Sequence, residues 1–327
     1  MPLLTCITAT FNDGLVLHNS VDAILNQSFG DFELILVDDG STDDTWDKIS
    51  AIRDSRVRGI RQANAGLSSA RNKALEQVSG DYVCFLDADD IRPNYALAAI
   101  ARKLRDETPD LLFTRGVLSE IRGDLLPFYD SGLVEHLAQR VGAQALQAGT
   151  PLAAELLPLI QMIEPQSANK VIRSDFLRQN RLIFPNTHFF EDILFHTEVL
   201  ARANRISFLD VPCYTYFRRY GRPQITAGTS DLRMDILPVV KMTLELFETS
   251  PHMHNPEYRS AVLISCFRIL RWCSSCISHH YRFHFNELAR AIVKMMNPLY
   301  LHFPEPAAGS LPINREIQDY VKGLAHG

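Results

Sequence analysis

Apolar residues in the first part of the chain fall into short unbroken runs separated by helical stripes. Leu3 to Thr10 is a β-run, closed by Phe11-Asn12-Asp13-Gly14. Leu15, Leu17, Val21, Ile24 and Leu25 then recur at helical spacing until Ser28-Phe29-Gly30 ends the stripe. Glu33 to Val37 is a second strand, stopped by Asp38-Asp39-Gly40-Ser41-Thr42-Asp43-Asp44. Ser41 or Thr42 is placed to cap the next helix, with Asp43 and Asp44 in its positive first turn. Val57 to Arg61 predicts a third, weaker strand, and Asn64-Ala65-Gly66-Leu67-Ser68-Ser69 opens a helix through Ala74, Leu75 and Val78. Val83 to Leu86 is the fourth strand, bounded by Gly80 and by Asp87-Ala88-Asp89-Asp90. Strand and helix alternate four times in this stretch. That rhythm predicts an α/β fold with βαβ units, a mostly parallel sheet flanked by helices, and a Rossmann-like site at the carboxyl ends of the strands.

Beyond this stretch the pattern loosens. A helix is expected over Tyr95–Leu104 and a strand over Leu111–Leu118. From Ser131 to Ile163 the apolar positions repeat helically, which reads as a helical insertion at about 131–163. Asn169-Lys170-Val171-Ile172 resumes the core. Phe184 to His188 is a loop, a helix follows from about Phe190 to Ala203, and two short strands lie near Ile206–Leu209 and Cys213–Phe217. After Ser230 the chain reads as helix broken at Pro251, Pro298 and Pro304–Pro306. The expected division is a catalytic domain over 1–230 and a helical C-terminal extension over 231–327.

Composition narrows the class. The 327 residues are 46% hydrophobic and 22% charged, an ordinary globular balance. A formal net charge of −5 argues against nucleic acid as a partner. No apolar run approaches the ~20 residues of a membrane span, and the N-terminus lacks a signal-peptide layout. Six cysteines, with Cys6 and Cys84 inside strands, read as reduced core residues, so a cytoplasmic location is expected. Cys273, Cys276, His279 and His280 have zinc-like spacing, but they lie on an apolar-periodic helix, where packing is the simpler account. Arg268, Arg271, Trp272, Arg282, Phe283 and Phe285 give the same region the makings of a peripheral membrane or subunit contact, including a homo-oligomer.

The chemistry lies at the strand ends. Asp87, Asp89 and Asp90 crowd within four residues, where like charges repel unless a cation is present. Hard ions such as Mn²⁺ or Mg²⁺ prefer such oxygen ligands and bridge carboxylates to substrate phosphates. Asp38 and Asp39 can accept from a base N–H or from ribose hydroxyls; capping a helix accounts for them equally well. Arg71 is placed either as a fork donor to a diphosphate or as an ordinary helix-face arginine.

These segments carry a resemblance. Thr10-Phe11-Asn12, Gln27-Ser28-Phe29, Phe32 through Asp43, Asn64 through Asn72, and Phe85 through Asp90 resemble, in order and spacing, the family-2 glycosyltransferases, inverting enzymes of the GT-A fold. The match covers roughly residues 1–110, with a thinner echo from Asn169 to Thr226. Ala9 and Phe11 stand where the family often has proline and tyrosine. The resemblance implies donor-binding roles for Thr10, Asn12, Asn64 and Arg71. It implies that Asp39, with Asp38 nearby, holds the nucleobase, and that Asp87 of Asp87-Ala88-Asp89 contacts ribose or sugar. Asp89, with Asp87, would hold Mn²⁺ or Mg²⁺ on the donor diphosphate.

An inverting transfer also needs a base to take the acceptor proton. Glu191-Asp192 resembles the family's acidic pair, which implies Asp192 as base and Glu191 as its neighbouring carboxylate. The same two acids would also suit a helix N-terminus. Asn169-Lys170 resembles the family's Asn-Lys, with Lys170 balancing phosphates. Tyr216-Phe217-Arg218-Arg219 and Arg222 to Thr226 resemble its closing segment, bringing Arg218, Arg219 or Arg222 to the diphosphate. The implied partners are a nucleoside-diphosphate sugar, first a UDP-sugar, and a saccharide or lipid-linked acceptor, in surface polysaccharide or glycoconjugate biosynthesis. The alternatives are a nucleotidyltransferase that makes sugar nucleotides and a catalytically silent sugar-nucleotide-binding subunit. Against the first, Thr10–Gly14 offers one glycine and no Arg or Lys to grip a triphosphate.

Overall fold

The structure, a computed structural model, describes residues 1–120, 123–144, 156–187, 189–218, 229–304 and 312–326. The chain divides into two compact units, one of Met1–Leu152, Gln166–Asn186 and Arg202–Gly221, the other of Ala153–Pro165, Thr187–Ala201 and Arg222–Gly327.

The elements run β1 (Leu4–Thr10), α1 (Leu17–Leu25), β2 (Phe32–Asp38), α2 (Thr45–Ala51), β3 (Val57–Arg61), α3 (Leu67–Leu75), β4 (Tyr82–Phe85), α4 (Ala96–Glu107), β5 (Leu111–Ser119), β6 (Leu125–Pro127) and α5 (Ser131–Gln144). They continue with α6 (Leu157–Gln161), β7 (Lys170–Arg173), α7 (Ser174–Asn180), α8 (Glu191–Arg202) and β8 (Ile206–Phe217). Four long helices follow: α9 (Ile236–Glu248), α10 (Pro256–Cys276), α11 (His279–Met295) and α12 (Pro312–His326).

The first unit is a sheet in the order β3-β2-β1-β4-β7-β5-β6, with β8 paired to β5. β1, β2, β3 and β4 pair in parallel. The apolar runs of β1, β2 and β4 are buried on both faces, as parallel strands usually are, whereas β3 at the sheet edge is largely exposed. β7 enters antiparallel between β4 and β5, so the mostly parallel sheet carries an antiparallel strand in its middle. The two short strands expected near 206 and 213 form one strand, β8, parallel to β5. A register shift around Arg115 places Pro212 opposite that residue, a bulge where proline's missing N–H does no harm. Gly116 is required beside it, because a Cβ there would fall 2.3 Å from the Tyr214 ring.

α1 turns Leu17, Val21 and Ile24 onto the sheet, and α4 buries Leu97, Ile100, Ala101 and Leu104. α2 starts at Thr45 without Ser41 or Thr42 as its cap. Instead Asp43 Oδ1 accepts the Thr45 amide, and the Ser41 hydroxyl accepts from the amide of Asn12. The second unit is helical. Asn255 caps α10 by accepting the amides of Glu257 and Tyr258, with Pro256 in the first turn. The core stripe of α10 is Tyr258, Val262, Cys266, Leu270 and Cys273. Of the expected insertion, α5 lies in the first unit and α6 in the second. Among the described residues no helix is long and apolar enough to cross a membrane.

Candidate active site

Parallel pairing brings the ends of β1 and β2 together, with Thr10 opposite Asp38. The Asp39 amide donates to the Thr10 carbonyl at 2.9 Å, continuing the ladder one residue past the strand. Asn12 adopts φ +55° and turns its Oδ1 back to accept the Thr42 amide at 2.8 Å. This ties the loop after β1 to the loop after β2. Asn tolerates that left-handed backbone better than most residues. The Thr10 hydroxyl donates to Asp13.

The two neighbouring aspartates have different surroundings. Asp38 is fully buried; its Oδ2 is ion-paired with Arg61 Nε at 3.1 Å, and Oδ1 accepts the Ser41 amide. Asp39 Oδ1 accepts from Gln62 Nε2 at 2.7 Å and the Ala65 amide at 2.9 Å, and Oδ2 accepts the Gly66 amide at 2.8 Å. Asp39 therefore clamps the turn leading into α3 and leaves Asn64, exposed, on its outer side. Gly40, at φ +76°, lets this turn close: a Cβ there would sit 2.7 Å from the Asn64 amide nitrogen. Gln62 had no signal of its own in the sequence; it matters because parallel pairing carries β3 alongside Asp38.

Arg71, on α3, is buried, not an ordinary surface arginine. Its Nη2 donates to Asp87 Oδ1 at 2.9 Å, and its guanidinium lies 5.0 Å from the centre of the Phe184 ring. Phe184 is held in place by Asn72, whose side chain exchanges two hydrogen bonds with the Phe184 backbone. Asp87 keeps its side chain 46% exposed, Ala88 is buried, and Asp89 is half-buried in the turn. Asp90 points inward and accepts the Phe217 amide at 3.1 Å, so β8 is tied to this turn. The buried Arg92 donates to the carbonyls of Phe85 and Cys213, bracing the same turn from below.

Among the described residues, no three His, Cys, Asp or Glu side chains form a ready-made metal cage. Asp87 and Asp89 still fit a divalent ion of the Mn²⁺ or Mg²⁺ kind, since these need only one or two carboxylates when substrate phosphates supply the rest.

Lys170 is 1% exposed; its ammonium donates to the Gln166 carbonyl and Asn169 Oδ1 and lies 5.5 Å from the Phe113 ring centre. Arg218 follows the end of β8, and Arg219, with Arg222, lies outside the described residues. Glu191 and Asp192 open α8 in the second unit, Glu191 buried and Asp192 half-buried. Phe190 before them has φ +64°, a conformation that costs a bulky side chain energy and marks this helix start as strained. His188 lies outside the described residues. In the zinc-like group, Cys273 is buried beside Arg233, and burial pushes its thiol up to about 12, far from the thiolate that zinc binds.

The family model for glycosyl transferase family 2 matches residues 5–130, the stretch that contains β1 to β5 and the turns just described. Over those residues the chain is of glycosyl transferase family 2. This glycosyltransferase is 27% identical over 245 residues to glycosyltransferase GlyG of Streptococcus pneumoniae serotype 4, an alignment spanning 72% of this chain and 78% of that protein. It is 42% identical over 91 residues to the UDP-Glc:alpha-D-GlcNAc-diphosphoundecaprenol beta-1,3-glucosyltransferase WfaP of Escherichia coli, spanning 28% of this chain and 36% of WfaP. Among solved structures, S. aureus TarS 1–349 in complex with UDP-GlcNAc superposes with a TM-score of 0.70 at 20% identity, over 91% of this chain and 82% of that one. At that identity the likeness speaks for the fold, a GT-A-type sheet flanked by helices.

Proposed function

We propose that this glycosyltransferase is an inverting enzyme moving a sugar from a UDP-sugar to a hydroxyl of a saccharide or lipid-linked acceptor. The observation that carries this is Arg71: a buried guanidinium held at the strand-end turn, paired with Asp87 and backed by Phe184. A cation kept in that place has a use when a diphosphate arrives beside it. Asp39 supports the choice of base. A carboxylate offers about four acceptor directions, and three are taken by Gln62, Ala65 and Gly66. One acceptor suits uracil, which presents a single N–H.

In the proposed mechanism Asp39 accepts the base N–H, with Thr10, Asn12 and Asn64 around the nucleoside. Asp87 meets the ribose or sugar, and Asp89, with Asp87, would hold Mn²⁺ or Mg²⁺. When bound, such an ion supplies charge that stabilises the departing diphosphate. Arg71 adds its own charge there. Asp192 takes the proton of the acceptor hydroxyl, and Glu191 orients the acceptor. The TarS neighbour, solved with UDP-GlcNAc, and WfaP, named for a UDP-Glc donor and a diphosphoundecaprenol-linked acceptor, point the same way for the donor.

A thermal-shift series with UDP, GDP, ADP and dTDP, with and without Mn²⁺, tests it. UDP with Mn²⁺ should raise the melting temperature most, and Asp89→Ala should lose the Mn²⁺-dependent part. If no nucleoside diphosphate shifts the wild type, or Asp89→Ala responds like it, the assignment is wrong.

A further inference from the structure

At the far end of β5 the chain builds a group of exposed side chains that the donor site does not use. β5 ends at Ser119 with Phe217 of β8 opposite it on one side and Leu125 of β6 on the other. The Arg218 amide donates to the Ser119 carbonyl at 3.0 Å, fixing where the Arg218 side chain departs. After β6 two aromatic residues part ways. Phe128 is buried edge-on to the Tyr214 and Tyr216 rings, whereas Tyr129 is 56% exposed. The Tyr129 ring is held 5.2 Å from the Phe128 ring, so it is exposed yet anchored. The Arg218 guanidinium lies 5.3 Å from the centre of the Tyr129 ring, and its Nη1 is 3.7 Å from Glu120 Oε1.

This group borders the turn proposed for the donor diphosphate. Asp90 accepts the Phe217 amide, and Ile91 and Thr215 exchange two backbone hydrogen bonds at 2.9 and 3.3 Å. The chain thus reaches Arg218 one residue after leaving the Asp87-Ala88-Asp89-Asp90 turn. We propose that Tyr129, Arg218 and Glu120 form the platform that seats a neutral pyranose ring of the acceptor. The platform rests on the glycosyl-transfer function proposed above and names the acceptor subsite for it.

The chemistry of the three groups selects that ligand. A pyranose has an apolar C–H face and a rim of hydroxyls that both donate and accept. Tyr129 offers an aromatic face to the first. Arg218 offers donors and Glu120 offers acceptors to the second. Their contact at 3.7 Å is longer than a hydrogen bond, so both keep that capacity for a ligand. An anion is a poorer fit, because the Glu120 carboxylate offsets the charge of Arg218. Arg218 on this view serves the acceptor, not the donor diphosphate.

Saturation-transfer NMR on the UDP-bound protein tests this, with methyl glycosides of glucose, galactose, N-acetylglucosamine and N-acetylgalactosamine as probes. At least one should bind the wild type and Tyr129→Phe alike, and bind Tyr129→Ala about tenfold more weakly. UDP should raise the melting temperature of all three proteins equally, which also confirms that the exposed Tyr129 can be removed without unfolding. Equal glycoside binding by Tyr129→Ala overturns the platform, as does a wild type that binds UDP but none of the glycosides, or a Tyr129→Ala protein that no longer binds UDP. A wild type that fails to bind UDP would instead remove the donor assignment beneath it.

Discussion

Single residues decide whether the strand-end loops can close. Asp38 and Asp39 are neighbours of identical chemistry, yet one is spent on Arg61 and Ser41 inside the unit and the other on the turn before α3. The sequence marks both as strand-end acids and cannot separate them, because every partner but Ser41 comes from β3 and its following turn, more than twenty residues away. Arg71 was likewise ambiguous: only the folded chain buries it against Phe184. Gly40 has little freedom to change. An alanine there adopts a left-handed conformation at a cost of about 1 kcal/mol and also meets the Asn64 amide, so a total loss of about 2 kcal/mol is expected. Urea denaturation of Gly40→Ala measures the loss, and donor KM should rise because Asn64 is displaced. Unchanged stability and KM would show that the turn can relax around a methyl group.

At the scale of elements, the alternating first ninety residues were legible because each buried parallel strand is a continuous apolar run and each helix shows one apolar stripe. The strand β7 was harder. Four residues carry no mark of direction, and only pairing with β4 and β5 makes it antiparallel. Its first residue, Lys170, shows what such placement does to a functional guess. A lysine near phosphates should keep its ammonium accessible, whereas this one is buried with hydrogen bonds to Gln166 and Asn169. Lys170→Met should leave those two acceptors unsatisfied and lower stability by about 1–3 kcal/mol. Donor KM, measured in the same preparation at a temperature where both proteins are folded, should stay within twofold. A large rise in KM with stability unchanged would return Lys170 to the donor site.

Across the whole molecule the proposed roles divide between the two compact units. Thr10, Asn12, Asp39, Asn64, Arg71, Asp87 and Asp89 all fall in the first, and Glu191 and Asp192 in the second. Donor binding and proton removal should therefore be separable by substitution. Asp192→Asn keeps the shape of the side chain and removes its capacity to take a proton. Loss of a general base lowers turnover by about 10²–10⁴-fold. The helix dipole at the start of α8 loses a favourable charge worth only about 0.3–1 kcal/mol, too little to unfold the protein. UDP should raise the melting temperature of Asp192→Asn as it does that of the wild type, while kcat collapses. A variant that turns over at the wild-type rate would move the base elsewhere. One that loses UDP binding together with kcat would show that Asp192 contributes to holding the donor, and the division of labour between the units would not stand.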